Sequence, residues 1–155
     1  MRHWDIIIGL VNEHRYKRIA EVGVCKGATA FKVLLQCDID VYYAVDSQFH
    51  PAFYQHLTAS FYPQLKIYSI SSKEAAEQIP HPLDLVFIDA DHAEGAVVHD
   101  ICLWLPKVRE GGIVCGHDYA SPKWPGVKAA VDRVLGNVKL LDTKGVKLWI
   151  YEKLP

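Results

Sequence analysis

The residues with the greatest capacity for chemistry follow two apolar stretches of the chain. Asp89-Ala90-Asp91-His92 comes directly after the run 83–88, and Gly116-His117-Asp118-Tyr119 comes directly after 113–115. A carboxylate can accept a proton or hold a cation, and an imidazole titrates near neutral pH, which suits it to general base catalysis. So many polar residues at the ends of apolar strands are hard to explain by folding alone. We therefore interpret both tetrapeptides as parts of one functional site, although many loop histidines are merely solvated.

Strand patterns alternate with helical patterns along the whole chain. The predicted strands cover 19–22, 41–45, 65–69, 83–88, 113–115, 138–141 and 146–151, with Gly111-Gly112 as the turn into the fifth. The predicted helices cover 3–14, 28–35, 51–61, a short segment opening at 71–74, 94–105 and 127–135. This alternation predicts a doubly wound α/β fold in a single domain, 1–155, with an N-terminal helix within 1–16 and a Rossmann-like core over 17–155.

The carboxyl ends of the predicted strands mark the expected ligand site. In an open α/β sheet, ligands bind beyond these ends, where the strand order reverses. The first and fourth strands flank that point, so 21–23 and 89–92 should face one cleft, with 116–119 on its border. The first strand leads into a glycine turn and a helix, whose unpaired N–H groups suit a nucleotide-like ligand. Asp46, which ends the second strand, is placed to accept hydrogen bonds from ribose hydroxyls.

The glycine turn also bears on which nucleoside is bound. A dinucleotide fingerprint that starts at Gly23 needs a glycine two residues later, where this chain has Cys25. This departure argues against an NAD-type oxidoreductase, which stays open as an alternative. Glu21 is an acidic residue within a buried strand, a costly arrangement unless the carboxyl group has a partner.

The pattern Glu21-x-Gly23-x-x-x-Gly27 resembles motif I of the class I S-adenosylmethionine-dependent methyltransferases. The resemblance implies a seven-stranded sheet in the order 3-2-1-4-5-7-6 with the last strand antiparallel. It also implies contacts to the methionine end of S-adenosylmethionine (SAM) from motif I, to the ribose from the second strand and to the adenine after the third. The cofactor residues selected in this way, with one aspartate after the fourth strand, are Glu21, Gly23, Gly27, Asp46, Ser71, Ser72 and Asp89. Helix capping is an equally good interpretation of each serine.

A second resemblance rests on the segments 87–92, 111–119 and 125–132. Together they are similar to the small bacterial methyltransferases related to macrolide and aminocoumarin sugar O-methyltransferases, and to the catechol and caffeoyl-coenzyme A O-methyltransferases. This resemblance implies a divalent metal, such as Mg²⁺, held by Asp89 and Asp118.

The resemblance leaves both the metal site and the base open. Tyr119 stands where those enzymes have a third metal ligand, so His117, Asp91 or water would have to complete the site. His92 aligns with the lysine base of the catechol-type enzymes, and Asp91 with the proposed base of the sugar-modifying ones. His92 is the favoured base, with Asp91 and His117 as the other candidates.

These patterns predict a SAM-dependent methyltransferase that acts on a small molecule, most simply on a hydroxyl group. A non-catalytic SAM-binding or other nucleotide-binding Rossmann-like domain is the main alternative. The 155 residues include 17 basic and 18 acidic ones, which gives a net charge of −1. We therefore expect no binding to nucleic acid or to a membrane, since both depend on an excess of positive charge. No apolar run is long enough to span a bilayer and no signal peptide is evident, so we expect a cytoplasmic protein. A homo-oligomer is one way to supply the substrate wall that so compact a chain lacks.

Two smaller expectations concern cysteines and histidines. The cysteines are expected to be reduced and mostly buried thiols, not zinc ligands or disulfides: Cys25, Cys37, Cys102 and Cys115. His3 and His14, on the first helix, are expected to face solvent.

Overall fold

The protein is built on one mixed β-sheet. The computed structural model describes residues 1–57 and 61–155. The strands are β1 (Arg18–Val22), β2 (Val41–Val45), β3 (Leu65–Tyr68), β4 (Leu83–Ile88), β5 (Val108–Gly116), β6 (Lys139–Asp142) and β7 (Lys147–Glu152). Their order across the sheet is β3-β2-β1-β4-β5-β7-β6, and β7 runs antiparallel to both β5 and β6. The predicted strand order and the antiparallel last strand are confirmed.

Helices cover both faces of this sheet, and each face has its own apolar core. The helices are α1 (His3–His14), α2 (Ala28–Gln36), α3 (Phe53–His56), α4 (Ser72–Gln78), α5 (Glu94–Trp104) and α6 (Pro125–Val134). Ile19 of β1 belongs to the core beneath α1 and α2, whereas Ala20 and Val22 belong to the core beneath α5 and α6. Because alternate residues of a strand face opposite sides, the central strands must be apolar along their length. Within the described ranges, no helix has the length and apolarity needed to cross a membrane.

Strand register aligns the segments that form the site. Val22 at the end of β1 is opposite Val45 of β2 and Ile88 of β4. Ile88 is in turn opposite Gly116 of β5. The residues that follow these four strands therefore emerge side by side at one edge of the sheet.

The predicted helix over 51–61 is wrong. Among the residues of this range that the structure describes, only Phe53–His56 is helical, and Leu57 has an extended backbone with φ −121°. Residues 58–60 lie outside the described residues. The buried side chains of Phe53 and Leu57 both pack against Gly27, and this tertiary contact takes the chain out of the helix that its local sequence favours.

Gly111-Gly112, the expected turn into the fifth strand, lies inside β5 at an irregularity in its pairing. Leu83 pairs with Val108 and Leu85 with Ile113, and Gly111 has a φ of 70°. Gly111 N donates to the carbonyl of Lys153, and Lys153 N donates to the carbonyl of Gly112. The glycines thus pair with the segment that follows β7, while the pairing of β5 with β4 is interrupted between Val108 and Ile113.

The cysteines follow the prediction only in part. All four are free thiols, as expected. Cys37 and Cys115 are buried, but Cys25 and Cys102 are exposed. Cys102 lies on α5, where the apolar pattern alone suggested burial; the face that packs on the sheet carries Ile101 and Trp104 instead.

Candidate active site

The carboxyl ends of β1, β2 and β4 enclose a cleft of about 280 Å³. Its walls are formed by the segments at these strand ends: Val22, Gly23, Cys25, Val45, Asp46, Ser47, Asp89, Ala90 and Asp91. This is where a doubly wound sheet binds its ligand, since the strand order reverses between β1 and β4. Three of the predicted cofactor residues, Gly23, Asp46 and Asp89, line the cleft.

The Asp46 carboxylate accepts three hydrogen bonds from backbone N–H groups, two of them from the glycine turn. Its Oδ2 accepts hydrogen bonds from the backbone N–H groups of Val24 (2.9 Å) and Cys25 (2.8 Å), and its Oδ1 accepts one from Gln48 (2.9 Å). A carboxylate offers about four acceptor positions, so Oδ1 retains capacity for one more donor. A ribose hydroxyl in the cleft is a suitable donor for that position.

Gly23 and Gly27 are required by packing within the protein. Their φ angles are 90° and 78°, in the left-handed region that favours glycine. A Cβ on Gly23 would overlap the backbone of Asp89, and a Cβ on Gly27 would overlap the side chains of Leu57 and Phe53. The sequence interpretation, in which these glycines contact the cofactor, therefore leaves out their role in packing. Gly27 lies outside the cleft lining, and its contact with a cofactor stays a prediction.

Glu21 lies inside the sheet, behind the cleft. Its side chain is buried (2% exposed), and its Oε2 accepts a hydrogen bond of 2.6 Å from the Tyr42 hydroxyl. Burial raises the pKa of Glu21 to about 8, although the hydrogen bonds from Tyr42 and Thr29 favour the ionised form. The carboxyl group is therefore mostly protonated at neutral pH. Glu21 does not line the cleft, so its predicted contact with the cofactor would pass through other groups.

The two serines after β3, Ser71 and Ser72, both form hydrogen bonds with other residues of the protein. Ser71 caps α4: its Oγ accepts from Glu74 N (3.2 Å), and its own N–H donates to Glu74 Oε2 (3.1 Å). Ser72 Oγ donates to Asp100 Oδ1 (2.5 Å) and accepts from Trp104 Nε1 (2.9 Å). The capping interpretation is confirmed for Ser71, and the adenine contacts of both serines stay a prediction.

Three of the residues singled out in the sequence meet beyond β4 and β5. His92 Nε2 lies 2.9 Å from Asp118 Oδ2 and 3.4 Å from Asp89 Oδ1. The imidazole also stacks on Trp124, with ring centroids 4.6 Å apart. Hydrogen bonding to Asp89 and Asp118 raises the pKa of His92, and partial burial offsets part of the rise. The neighbouring His117 and His92 lower the pKa of Asp118 against the effect of burial.

His117 extends this cluster towards α1. Its Nδ1 lies 3.4 Å from Asp118 Oδ2, and its Nε2 lies 3.3 Å from Thr143 Oγ1. Its ring centroid is 4.7 Å from that of His3. His117 thus contacts the carboxylate that also holds His92.

The expectation that His3 faces solvent is wrong, whereas His14 is exposed as expected. His3 Nε2 lies 2.9 Å from Thr29 Oγ1, and its ring stacks on Phe87 at 5.6 Å. Burial and the nearby His117 lower the pKa of His3. The signal was present in the helical spacing, because His3 is one turn before the buried Ile7 and so shares its face.

Asp91 is placed differently from Asp89. Its side chain is exposed at the cleft rim, and its Oδ1 accepts a hydrogen bond of 2.9 Å from the backbone N–H of Ala93. This bond shapes the turn into α5. Among the described residues, no side chain holds the Asp91 carboxylate as Asp118 holds His92.

His92 supplies a third ligand atom beside Asp89 and Asp118, and the three residues form a candidate cation site. Tyr119 is directed away, since its hydroxyl donates to Asp132 Oδ1 at 2.6 Å. Ligand atoms of Asp89, His92 and Asp118 all lie within 4.8 Å of one another. The sequence proposed His117, Asp91 or water as the completing donor, and the structure brings His92 to that place instead. Two carboxylates and an imidazole form a donor set that fits a divalent cation.

A comparison with family models agrees with this arrangement. The model described as "Methyltransferase domain" matches residues 20–119, more than half of the chain. The chain belongs to this methyltransferase family. The matched segment contains the glycine turn, Asp46 and the whole cluster of Asp89, His92 and Asp118.

Solved methyltransferases share the fold at low sequence identity. The O-methyltransferase TomG of tomaymycin synthesis from Streptomyces achromogenes, in complex with SAM, is 15% identical with a TM-score of 0.76, over 97% of this chain and 79% of its own. The O-methyltransferase from Bacillus cereus, in complex with SAH, is 13% identical with a TM-score of 0.77, over 97% of this chain and 80% of its own. An rRNA methylase from Streptococcus thermophilus is 14% identical with a TM-score of 0.78, over 100% of this chain and 98% of its own. Identities this low establish the shared fold and not the acceptor.

One relative is closer in sequence over a shorter segment. An uncharacterized protein of Acanthamoeba polyphaga mimivirus is 31% identical over 64 residues, which is 41% of this chain. The match spans only 29% of the viral protein.

Part of this methyltransferase's site lies outside the family match. His3 on α1, Trp124 before α6 and Thr143 between β6 and β7 all fall beyond residues 20–119. These three residues contact His117 or His92. The side of the site that faces away from the glycine turn is therefore built by segments that the family match does not include.

Proposed function

We propose that this protein transfers a methyl group from SAM to a hydroxyl group of a small molecule. The observation that carries the proposal is the shared position of Asp89. Asp89 lines the cleft below the glycine turn, and its Oδ1 lies 3.4 Å from His92 Nε2. A cofactor in the cleft and an acceptor beside His92 would therefore meet at one carboxylate.

The cleft has features that suit SAM. The free acceptor position on Asp46 Oδ1 matches a ribose hydroxyl. Asp89 and Asp91 place carboxylates along the cleft, where they complement the positive charges of the sulfonium and ammonium groups. The neutral state of the buried Glu21 avoids adding a further negative charge where the methionine carboxylate would lie.

His92 is the proposed general base. Methyl transfer is an in-line displacement: a C–O bond forms, the C–S bond breaks, and its electron pair stays on sulfur to give S-adenosylhomocysteine (SAH). The acceptor hydroxyl must lose its proton. With its Nε2–H donated to Asp118, the neutral imidazole takes up that proton at Nδ1. Asp118 and Asp89 stabilise the resulting imidazolium.

Asp91 and His117 are the other candidate bases from the sequence. Asp91 is exposed and bonded to the backbone of Ala93, and His117 is bonded to Thr143. Among the described residues, neither Asp91 nor His117 contacts two carboxylates as His92 does. We therefore assign them to the surroundings of the acceptor.

A divalent cation is the alternative occupant of the same cluster. Asp89, Asp118 and His92 would hold it, and the cation would supply Lewis-acid activation of the acceptor hydroxyl. His92 Nε2 would then be a metal ligand and would no longer donate to Asp118. The base and metal-ligand roles of His92 thus make opposite predictions about chelation.

RNA is a second candidate acceptor, favoured by the full-length similarity to the Streptococcus thermophilus rRNA methylase. The net charge of −1 disfavours it, since nucleic-acid binding depends on basic surface.

The test of the proposed function is methyl transfer from SAM labelled in its methyl group. The acceptors are a panel of phenols, catechols and hydroxylated sugars, each with its methyl ether and its amine as controls, and total ribosomal RNA. We expect label in the hydroxyl compounds and none in their ethers. Transfer to the amines or to RNA alone would overturn the assignment.

A further inference from the structure

A second pocket, of about 200 Å³, adjoins His117. It is lined by Arg2 and His3 at the start of α1, His117 after β5, and Thr143 and Lys144 in the turn between β6 and β7. We propose that this pocket binds a carboxylate or phosphate group of the acceptor, so that the acceptor is a small anionic hydroxyl compound. The inference rests on the proposed function, in which the same molecule presents its hydroxyl to His92.

The lining of this anion pocket includes two cationic side chains. These belong to Arg2 and Lys144, whereas the Thr143 hydroxyl donates to the carbonyl of Val146 at 2.8 Å and lies 3.3 Å from His117 Nε2. Among the described residues, no aspartate or glutamate lines the pocket. Within 1–57 and 61–155, Arg2 and Lys144 also take no part in an ion pair. A guanidinium pairs with a carboxylate or phosphate through two parallel hydrogen bonds, and an ammonium adds a point charge.

Carboxylates around the pocket are engaged with other groups. Asp89, whose charge acts on His3, lies 3.4 Å from His92 Nε2. Asp5 Oδ2 accepts a hydrogen bond of 2.8 Å from the backbone N–H of Arg2. Asp118 is held by His92 and His117. Asp142, beside the turn, lies 3.9 Å from Lys147 Nζ. The positive charges at the pocket mouth therefore remain available to a ligand.

The position of the pocket explains how an anion would orient the acceptor. Asp118 Oδ2 lies 3.4 Å from His117 Nδ1 and 2.9 Å from His92 Nε2. An anionic group beside His117 and a hydroxyl beside His92 would thus be separated by one carboxylate. This spacing suits a hydroxy acid or a hydroxylated phosphate monoester. A neutral acceptor would not pair with the charges of Lys144 and of Arg2, whose guanidinium lies over the Trp4 ring at 5.1 Å.

The test measures binding without methyl transfer. Protein carrying isotope-labelled histidine is titrated with benzoate, phenyl phosphate and benzyl alcohol, and the His3 and His117 imidazole signals are followed by NMR. We expect at least one of the two anions to shift both signals and to bind about tenfold more tightly than benzyl alcohol. The double variant Arg2→Gln/Lys144→Gln should reduce anion binding to the level of the alcohol. The charge-matched control Lys66→Gln/Lys73→Gln, at two exposed lysines remote from the pocket in the fold, should bind the anions as the wild type does.

Two outcomes would overturn the anion pocket: equal affinity for all three probes, or anion binding that survives loss of Arg2 and Lys144. Calorimetry with SAH on the same samples separates this failure from that of the proposed function. SAH binding without selective anion binding would contradict the proposed anion pocket and support the proposed methyltransferase function. Selective anion binding without SAH binding would contradict the methyltransferase function and support the anion pocket.

Discussion

The Nε2 atom of His92 lies 2.9 Å from Oδ2 of Asp118, and this contact joins the segment after β4 to the segment after β5. The pairing of Ile88 with Gly116 brings the two segments together. Asp89 Oδ1 approaches the same nitrogen at 3.4 Å. An imidazole between two carboxylates is well suited to take up a proton, because both negative charges stabilise the imidazolium.

Replacement of His92 tests its role as the base. We expect His92→Gln to lower the rate of methyl transfer by about 10²-fold or more while SAH affinity stays unchanged, since the change removes proton transfer and not the cofactor cleft. The rate is measured with the best acceptor from the labelled panel, and the affinity by calorimetry. His99→Gln, at an exposed position of α5, is the matched control. A His92→Gln enzyme with the wild-type rate would rule out His92 as the base.

Chelation separates the base from the metal ligand. We expect enzyme dialysed against EDTA to keep its full rate, and added Mg²⁺ or Mn²⁺ to leave that rate unchanged. The reason is that His92 Nε2 is committed to Asp118, and Tyr119 is turned to Asp132. A rate that disappears on chelation and returns with the cation, in wild type but not in Asp118→Asn, would show that His92 is a ligand.

Glu21 should make stability fall as pH rises. Its pKa is about 8 in the folded protein, against an ordinary value of 4.5. Between these values the folded state keeps a proton that the unfolded state has released. The contribution of Glu21 to the unfolding free energy is therefore complete below the lower value and is lost as pH approaches the higher one.

The isosteric variant Glu21→Gln isolates this effect, since its amide oxygen still accepts from Tyr42. Across the window, the unfolding free energy of the wild type should fall relative to that of the variant by up to about 1.4 kcal/mol per pH unit. Urea denaturation of both proteins at several pH values gives the difference, in which the other titrating groups cancel. A difference that does not change with pH would contradict the raised pKa.

The sheet could be predicted from the sequence because its signals are local. The continuous apolar run of β4 indicates a strand buried on both faces, whereas the strand order was implied by the resemblance to the class I methyltransferases. That order brings Asp89, His92 and Asp118 to one edge. The partner of Glu21 could not be predicted in this way. Glu21 is opposite Ala44 of β2, and Tyr42 reaches it from two residues earlier on the same face, a relationship that requires the register.

Other features depend on tertiary packing. The end of α3 is set by the packing of Phe53 and Leu57 on Gly27, a contact that local helix propensity does not predict. The helical spacing puts His3 on the face of Ile7, but its contacts with Phe87 and His117 join α1 to β4 and to the segment after β5, and only the tertiary structure shows them.

Asp84 should be a structural anchor that is separate from the active site. Its Oδ2 accepts hydrogen bonds from the backbone N–H groups of Lys17 (2.7 Å) and Arg18 (2.8 Å), and its Oδ1 accepts one from Arg109 Nε (2.6 Å). We expect Asp84→Ala to lower the unfolding free energy by about 1–3 kcal/mol, because the two backbone donors lose their acceptor. Arg109→Ala, which removes only a half-exposed partner, should cost less. Equal losses in urea denaturation would show that the ion pair, and not the backbone bonds, stabilises this end of the sheet.

The most direct measurement of the central claim is calorimetric titration of the purified protein with SAH and SAM. Each should bind at one site per chain, and Asp46→Asn should weaken the affinity by about tenfold or more, because the ribose loses a charged acceptor. Asp142→Asn, at an exposed carboxylate beside the β6–β7 turn, is the control and should bind as the wild type does. Absence of binding to both compounds, or binding that is unaffected by Asp46→Asn, would contradict the assignment of the cleft to SAM.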